Sequence, residues 1–443
     1  MLQNGGSARL SPAVLLSGFP QAPEAPSLRP RSAPAPPMPQ PSFRSTVFAL
    51  AVGQLFSWAF LYFGFSSFVL PMQRDFGWSE PALMGAFTVG LAVWGGASYA
   101  VGAAIDHGRG RGVMTWGCMV GGAGFLLWSQ AHSLWTVYAA WALIGAAMAM
   151  LLYEPAFGIL AKRFPDRYRS GIATLTLFGG FGSTLSFTAV AWLIAHHDWR
   201  TALLLIGAAF MLMLAPLHAW ALRGTESPGT NPVKAIPAGH DPVDEATLRD
   251  ALRTPAFWLL TTTFTLYAFA GAGVWAHMMP ALAAKGQTST QALQVAIWFG
   301  PAQVLGRLAY LGVASRLHAR ASTHAMGIVV FTALALALTI FALADRTWAL
   351  LVFAVIFGVA NGLVTIVRGG IVPEYFGRAH VGRISGTMSA ISLVTRASAP
   401  IVTAWALVAL EDYRRMLLLL AALGAAAVVT FTLARSPGSR PVA

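Results

Sequence analysis

Three arginines, Arg307, Arg368 and Arg396, stand in stretches otherwise free of charge and long enough to cross a bilayer. A guanidinium near the hydrocarbon centre costs roughly 2.5 to 3.5 kcal/mol on insertion scales, so each must face a cavity, a partner or a surface. Arg396 lies about twelve residues into its stretch, close to the midplane, where snorkelling to either side is difficult. It is expected to bind an anion or to donate to buried helix carbonyls. Arg307 lies about 10 Å from one end by the 1.5 Å rise per residue, so its head could serve a buried anion or reach the surface. Glu154, the one acid deep in such a stretch, and Arg368 both sit about twenty residues inward from the same side. They could meet as an ion pair, or remain separate charges bonded locally. Gln54, Tyr62, Tyr153, Tyr267 and Asn361 could complete a binding site, although Ser, Thr and Asn in apolar helices commonly bond across helix contacts. His277 could titrate in the pathway, or simply sit at the interface near the outer end of its stretch.

The elements that must position these groups are membrane helices. The chain has 443 residues, 56% of them hydrophobic and 10% charged, with a mean hydropathy of +0.63. A soluble domain carries about 25% charged residues, so a water-soluble protein is excluded. The net charge of +13 falls in short clusters between uncharged runs, which fits membrane orientation and not nucleic-acid binding. Stretches of about 20 apolar residues recur twelve times, three of them only if each tolerates one arginine. Lysine and arginine favour the loops on one side by better than threefold, which places both termini in the cytoplasm. Trp78, Trp135, Trp199 and Trp348 fall at expected span ends, where indoles anchor among headgroups. The expected organisation is a proline-rich, disordered cytoplasmic tail over residues 1–43, a six-helix bundle over 44–222, a linker over 223–253, a second six-helix bundle over 254–435 and a tail over 436–443. The true start could also lie at Met38. The lone Cys118 and the adjacent pair His196-His197 do not make a metal site, and no paired carboxylates or histidine sets converge. Neither a cofactor nor an enzyme activity is expected.

The halves repeat. Pro71 and Ser79 recur as Pro280 and Thr288, Gly158 and Phe164 as Gly370 and Phe376, and Asp198-Trp199-Arg200 as Asp412-Tyr413-Arg414. A six-plus-six same-sense repeat fits the parallel halves of one transporter class. The loop Gly102 to Arg111 resembles the signature of the major facilitator superfamily, carried here by Gly102, Asp106 and Arg111; its second copy, Gly312 to Arg316, has arginine where the aspartate would sit. The resemblance covers about residues 45 to 435. It implies an all-α fold of twelve transmembrane helices in two pseudo-symmetric bundles, a conformational latch at Asp106 and Arg111, and a central cavity lined by the first, fourth, seventh and tenth spans, whose inner mouth Glu154 and Arg368 could close as a gate. Gly306-Arg307 and Arg396 with Pro400 resemble the bacterial oxalate/formate and monocarboxylate branch. In that branch, basic residues of the eighth and eleventh spans hold the substrate carboxylate. The first-span signature of the eukaryotic monocarboxylate carriers is absent, which argues against narrow lactate or pyruvate specificity.

Two transport readings stay open. The first is secondary or facilitated movement of a small organic anion by alternating access in a bacterial inner membrane. The carrier would act as a monomer with the lipid bilayer, its substrate, and a coupling proton or counter-substrate as partners, and with no nucleic acid. The second is efflux of drugs or amphipathic compounds. It fits the aromatic-rich spans, but the fifth span contains Gly179, Gly180 and Gly182 without the Gly-Pro signature of drug/proton antiporters.

Overall fold

The computed structural model describes residues 41–224, 246–317, 323–377 and 380–436. The expected N-terminal tail and most of the linker lie outside them. Among the described residues the chain is helical, and eleven helices are long and apolar enough to cross a membrane. They are Phe43–Phe76, Glu80–Ile105, Gly110–Ser129, Leu134–Arg163, Ser170–His196, Trp199–Ala221, Pro255–Ala284, Thr323–Leu343, Thr347–Phe376, Arg383–Leu410 and Tyr413–Leu433. Between Pro255–Ala284 and Thr323–Leu343 lies a pair of helices, Ser289–Ala296 and Phe299–Leu317. It holds Arg307 and Arg316 and occupies the eighth place of twelve.

Local chemistry sets the helix ends. Ser42, Ser133, Asp198, Thr254 and Asp412 cap N-termini by accepting from backbone N–H groups two or three residues on. Thr288 and Gln291 form a reciprocal capping box at the start of the eighth place. Gly77 ends the first helix at φ +66°, a left-handed turn that suits glycine.

Polar contacts sort the loops onto two ends. At the end away from the termini, Arg200 donates to the carbonyls of Ser129 and Ala131 at 2.7 and 2.8 Å. Lys285 donates to those of Ala342 and Ala344, and Arg414 pairs with Asp345 at 2.6 Å. Burial lowers the Lys285 ammonium from its ordinary value, an effect that Asp345 opposes. At the other end, Lys162 bonds the Ile105 carbonyl, Arg111 that of Ala219, and Arg163 those of Ala221 and Pro41. Cations on carbonyls at helix C-termini satisfy groups that have no partner within the helix. The repeat read from sequence is visible in the caps, since Asp198 and Asp412 both cap helices, while the residues that follow differ in reach: Trp199 bonds Asp75 at the end of the first helix within its own half, and Tyr413 bonds Glu80 of the other half.

One expected anchor differs. Trp135 and Trp348 are exposed as headgroup indoles should be. Trp199 is buried, because its indole N–H turns inward to Asp75 Oδ2 at 2.6 Å.

Candidate functional site

The site begins with two irregularities in helix geometry. The first helix widens into a π-helical turn over Trp58–Phe63. Such turns rotate side chains out of the regular register and are common at functional sites. The fourth helix breaks at Leu152, whose ψ of −164° is extended. Pro155 explains the break, since it has no N–H for the Leu151 carbonyl four residues back. Gln54 of the first helix supplies that donor, with Nε2 2.7 Å from Leu151 O and 3.3 Å from Leu152 O. Its Oε1 is buried without a partner among the described residues.

The break turns Tyr153 toward the first helix, where its ring packs 4.9 Å from Trp58. Room for its hydroxyl is made by Gly179, since a Cβ there would lie 2.3 Å from it. Trp58 in turn meets Tyr62 at 5.4 Å and Trp94 at 6.3 Å, and Tyr62 meets Trp94 at 6.2 Å. Four rings from the first, second and fourth helices thus form one continuous aromatic wall. The Trp58 indole N–H is buried with no partner among the described residues.

Against this wall stands Arg396. Its guanidinium lies 5.7 Å from the Trp94 ring centroid, a cation–π distance. Among the described residues it makes no hydrogen bond and no ion pair. Pro400 lies one turn further along the helix, so the Arg396 carbonyl also loses its helical donor. Tyr62 and Tyr267 lie within electrostatic reach of this charge. So does Arg368, which donates to Ser389 Oγ at 2.6 Å and lies 5.7 Å from the Phe264 ring. Tyr267 donates to Asn361 Oδ1, joining the seventh helix to the tenth.

Arg307 is engaged differently. It is 7% exposed, its Nε donates to Gly362 O at 3.0 Å and its Nη1 to Thr176 O. It therefore ties the eighth helix to the tenth and the fifth, and it also lies beside the Tyr153 hydroxyl of the aromatic wall. Gly180 permits this approach, because its Cβ position is 3.2 Å from Arg307 Nη1.

The two gating groups are not brought together as a pair. Glu154 is exposed and makes no ion pair with Arg368, although the two are within electrostatic reach. Arg111 bonds the sixth helix at Ala219 O. The side chain of Asp106 and those of Gly312 to Arg316 lie outside the described residues. Trp58 and Trp94 were not marked as site residues by sequence. Their signal was position, since tryptophan is enriched at span ends and these two lie well inside their helices.

Residues 50–343 match the model of the Major Facilitator Superfamily. The chain belongs to that superfamily. It is 26% identical over 330 residues to monocarboxylate transporter 13 of Bos taurus, covering 71% of this chain and 74% of the relative. A shorter match, 44% identical over 66 residues and 14% of each chain, is to a gallate transporter of Pseudomonas putida. Among solved structures, a bacterial homologue of the human lysosomal transporter Spinster aligns with a TM-score of 0.66 at 15% identity, over 88% of this chain and 96% of that one. This superfamily member is a multi-pass membrane protein with the twelve-helix fold expected from its sequence. The relatives also agree with the resemblance to the carboxylate-carrying branch.

Proposed function

We propose that this transporter carries a small organic anion, a carboxylate, by alternating access, with Arg396 as the group that meets it. One observation carries the reading: among the described residues the Arg396 guanidinium, in the middle of its span, has a cation–π contact and no hydrogen bond or ion pair, while Arg307 has two of its donors engaged by carbonyls. A charge in low dielectric with free donors favours an anion, and a guanidinium fork matches a carboxylate in two parallel bonds. Arg368 adds positive field, which the more distant charge of Glu154 partly offsets. The wall of Trp58, Tyr62, Trp94 and Tyr153 offers an apolar face to the body of the anion, with the Trp58 N–H as an added donor. The names of the relatives support the class, since monocarboxylates and gallate each present a carboxylate.

In this reading Gln54 and Tyr267–Asn361 shape the cavity, Arg307 braces it, and Asp106, Arg111, Glu154 and Arg368 act in its opening and closing. The two six-helix bundles move about the site as units. The protein works as a monomer in a bacterial inner membrane with both termini inside. Uptake into proteoliposomes from a panel of aliphatic and aromatic mono- and dicarboxylates tests the reading. The expected result is saturable uptake of at least one carboxylate, lost in Arg396→Gln. The aromatic wall also suits amphipathic cargo, and export of dyes with no carboxylate uptake would favour the efflux reading instead.

A further inference from the structure

At the end away from the termini, the two halves meet through side chains that the carboxylate site does not use. Glu80 opens the second helix, His277 lies about two turns from the outer end of the seventh, Thr403 is in the outer part of the eleventh, and Tyr413 opens the twelfth. His277 is fully buried and Glu80 is 14% exposed. His277 Nδ1 lies 2.7 Å from Glu80 Oε1, and its Nε2 lies 3.0 Å from Thr403 Oγ1. Tyr413 donates its hydroxyl to the same carboxylate oxygen.

The hydrogen positions follow from counting donors. Thr403 has one hydroxyl proton, which goes to Ala399 O at 2.7 Å, so its oxygen accepts from His277 Nε2–H. A proton is also needed between Nδ1 and Glu80 Oε1, or two lone pairs would face each other at 2.7 Å. All contacts are satisfied together when the imidazole–carboxylate pair carries one dissociable proton beyond a neutral ring and a carboxylate. When that proton leaves, the ring has a single N–H. Either the contact with Glu80 becomes repulsive, or Thr403 must give up its bond to Ala399 to refill Nε2. In both cases the charge-assisted bond across the halves weakens.

We propose that His277 and Glu80 form a proton-binding site that clasps the outer end shut when loaded and lets it open when empty. Of the other charges on the elements packed against the pair, Glu411 at the end of the eleventh helix is exposed, and the rest are exposed or engaged elsewhere. On the first helix, Arg74 is exposed and Asp75 is held by Trp199. On the seventh, Lys285 is held by the carbonyls of Ala342 and Ala344 and by Asp345. On the twelfth, Asp412 caps its own helix, Arg414 pairs with Asp345, and Arg415 bonds Leu410 O. The segment Ser289–Ala296 carries no titratable group. The eleventh helix presents Thr403, with Arg396 two turns further in. The proton exchanges with outside water through the partly exposed Glu80. Nearby contacts reinforce the same seam, with Phe63 and Trp275 rings 4.6 Å apart and Ile401 N donating to Thr88 Oγ1 at 3.2 Å.

The inference rests on the alternating-access reading but not on the cargo, so its test contains no carboxylate. Cys118 is the one cysteine of the chain and is buried, so a cysteine introduced by Ala270→Cys is a specific reporter. Ala270 is buried on the His277 face, two turns deeper. Full-length protein in right-side-out vesicles is treated with a membrane-impermeant maleimide across a pH series, with rates normalised to an exposed-cysteine control. Labelling should rise severalfold with pH, over about two units as for a single proton. It should become flat in Ala270→Cys/His277→Gln and in Ala270→Cys/Glu80→Gln, each checked for monodisperse elution. A rate independent of pH in the parent, or an unchanged pH response in both variants, would overturn the proposal. Loss of carboxylate uptake with this labelling pattern intact would instead fault the cargo reading.

Discussion

Arg307 and Arg396 are chemically identical charges in one half of the chain, yet their surroundings differ, and the proposed reading gives them opposite tasks. Around Arg307, Gly180 lets the fifth helix approach, and the carbonyls of Thr176 and Gly362 engage Nη1 and Nε in a buried site. Around Arg396 the neighbour is an indole face, which stabilises the charge without saturating its donors. Depth in the membrane therefore does not by itself mark a binding arginine. On the proposed reading, what marks it is whether the local backbone engages its donors.

The comparison can be broken most sharply at Arg396. Arg396→Gln removes the charge and fork while nearly keeping the length, and should lower carboxylate transport roughly 10- to 100-fold, the range for losing a charged hydrogen bond of about 1.5–3 kcal/mol. Thermal stability should hardly change, since no hydrogen bond is lost within the protein. Arg307→Met should do the reverse. It removes two buried hydrogen bonds from a charged donor and should reduce stability by about 1–3 kcal/mol, with transport falling only as the folded fraction falls. A denaturation midpoint measured beside uptake per folded molecule separates the two. Gln54→Leu should cost a similar or smaller amount, about 1–3 kcal/mol, by exposing the Leu151 carbonyl that Pro155 cannot serve.

The smallest effect is expected at the surface. Asp198 caps the sixth helix, and the Thr201 backbone N–H holds its carboxyl below the usual carboxylate range. Its folded pKa is depressed, so its stabilisation is present above the unfolded value and fades as pH falls through the folded one. Asp198→Ala should cost about 1 kcal/mol near neutral pH, and the difference in melting temperature from the parent should shrink on acidification below about pH 4.

The number and order of helices were legible because nine uncharged runs of sufficient length, with three more that carry one arginine each, can hardly be anything else. The eighth place is the weakest by hydropathy because Arg307 and Arg316 fall within it, and sequence admitted it only by tolerating an arginine. The local repeat was legible too, since Asp198 of Asp198-Trp199-Arg200 and Asp412 of Asp412-Tyr413-Arg414 both cap helices at the same end. Direction of side chains was not. Trp199 read as an interface anchor until Asp75 supplied a partner in the bundle. Glu80 does not stand out in the sequence, because its partner His277 is 197 residues away and pairing across halves leaves no periodic trace. The break at Leu152 had a visible cause in Pro155, but the donor that repairs it comes from another helix. Glu154 and Arg368 were matched by depth alone. Depth does not fix azimuth, and Arg368 is engaged by Ser389 on the eleventh helix.

The central claim is that Arg396 meets a carboxylate, and direct binding to purified protein tests it without assumptions about coupling or direction. Calorimetric titration should show one carboxylate of the transported panel binding the parent and Arg307→Met with similar affinity, and binding Arg396→Gln at least tenfold more weakly. Equal affinity of the parent and a folded Arg396→Gln for that carboxylate would contradict the account.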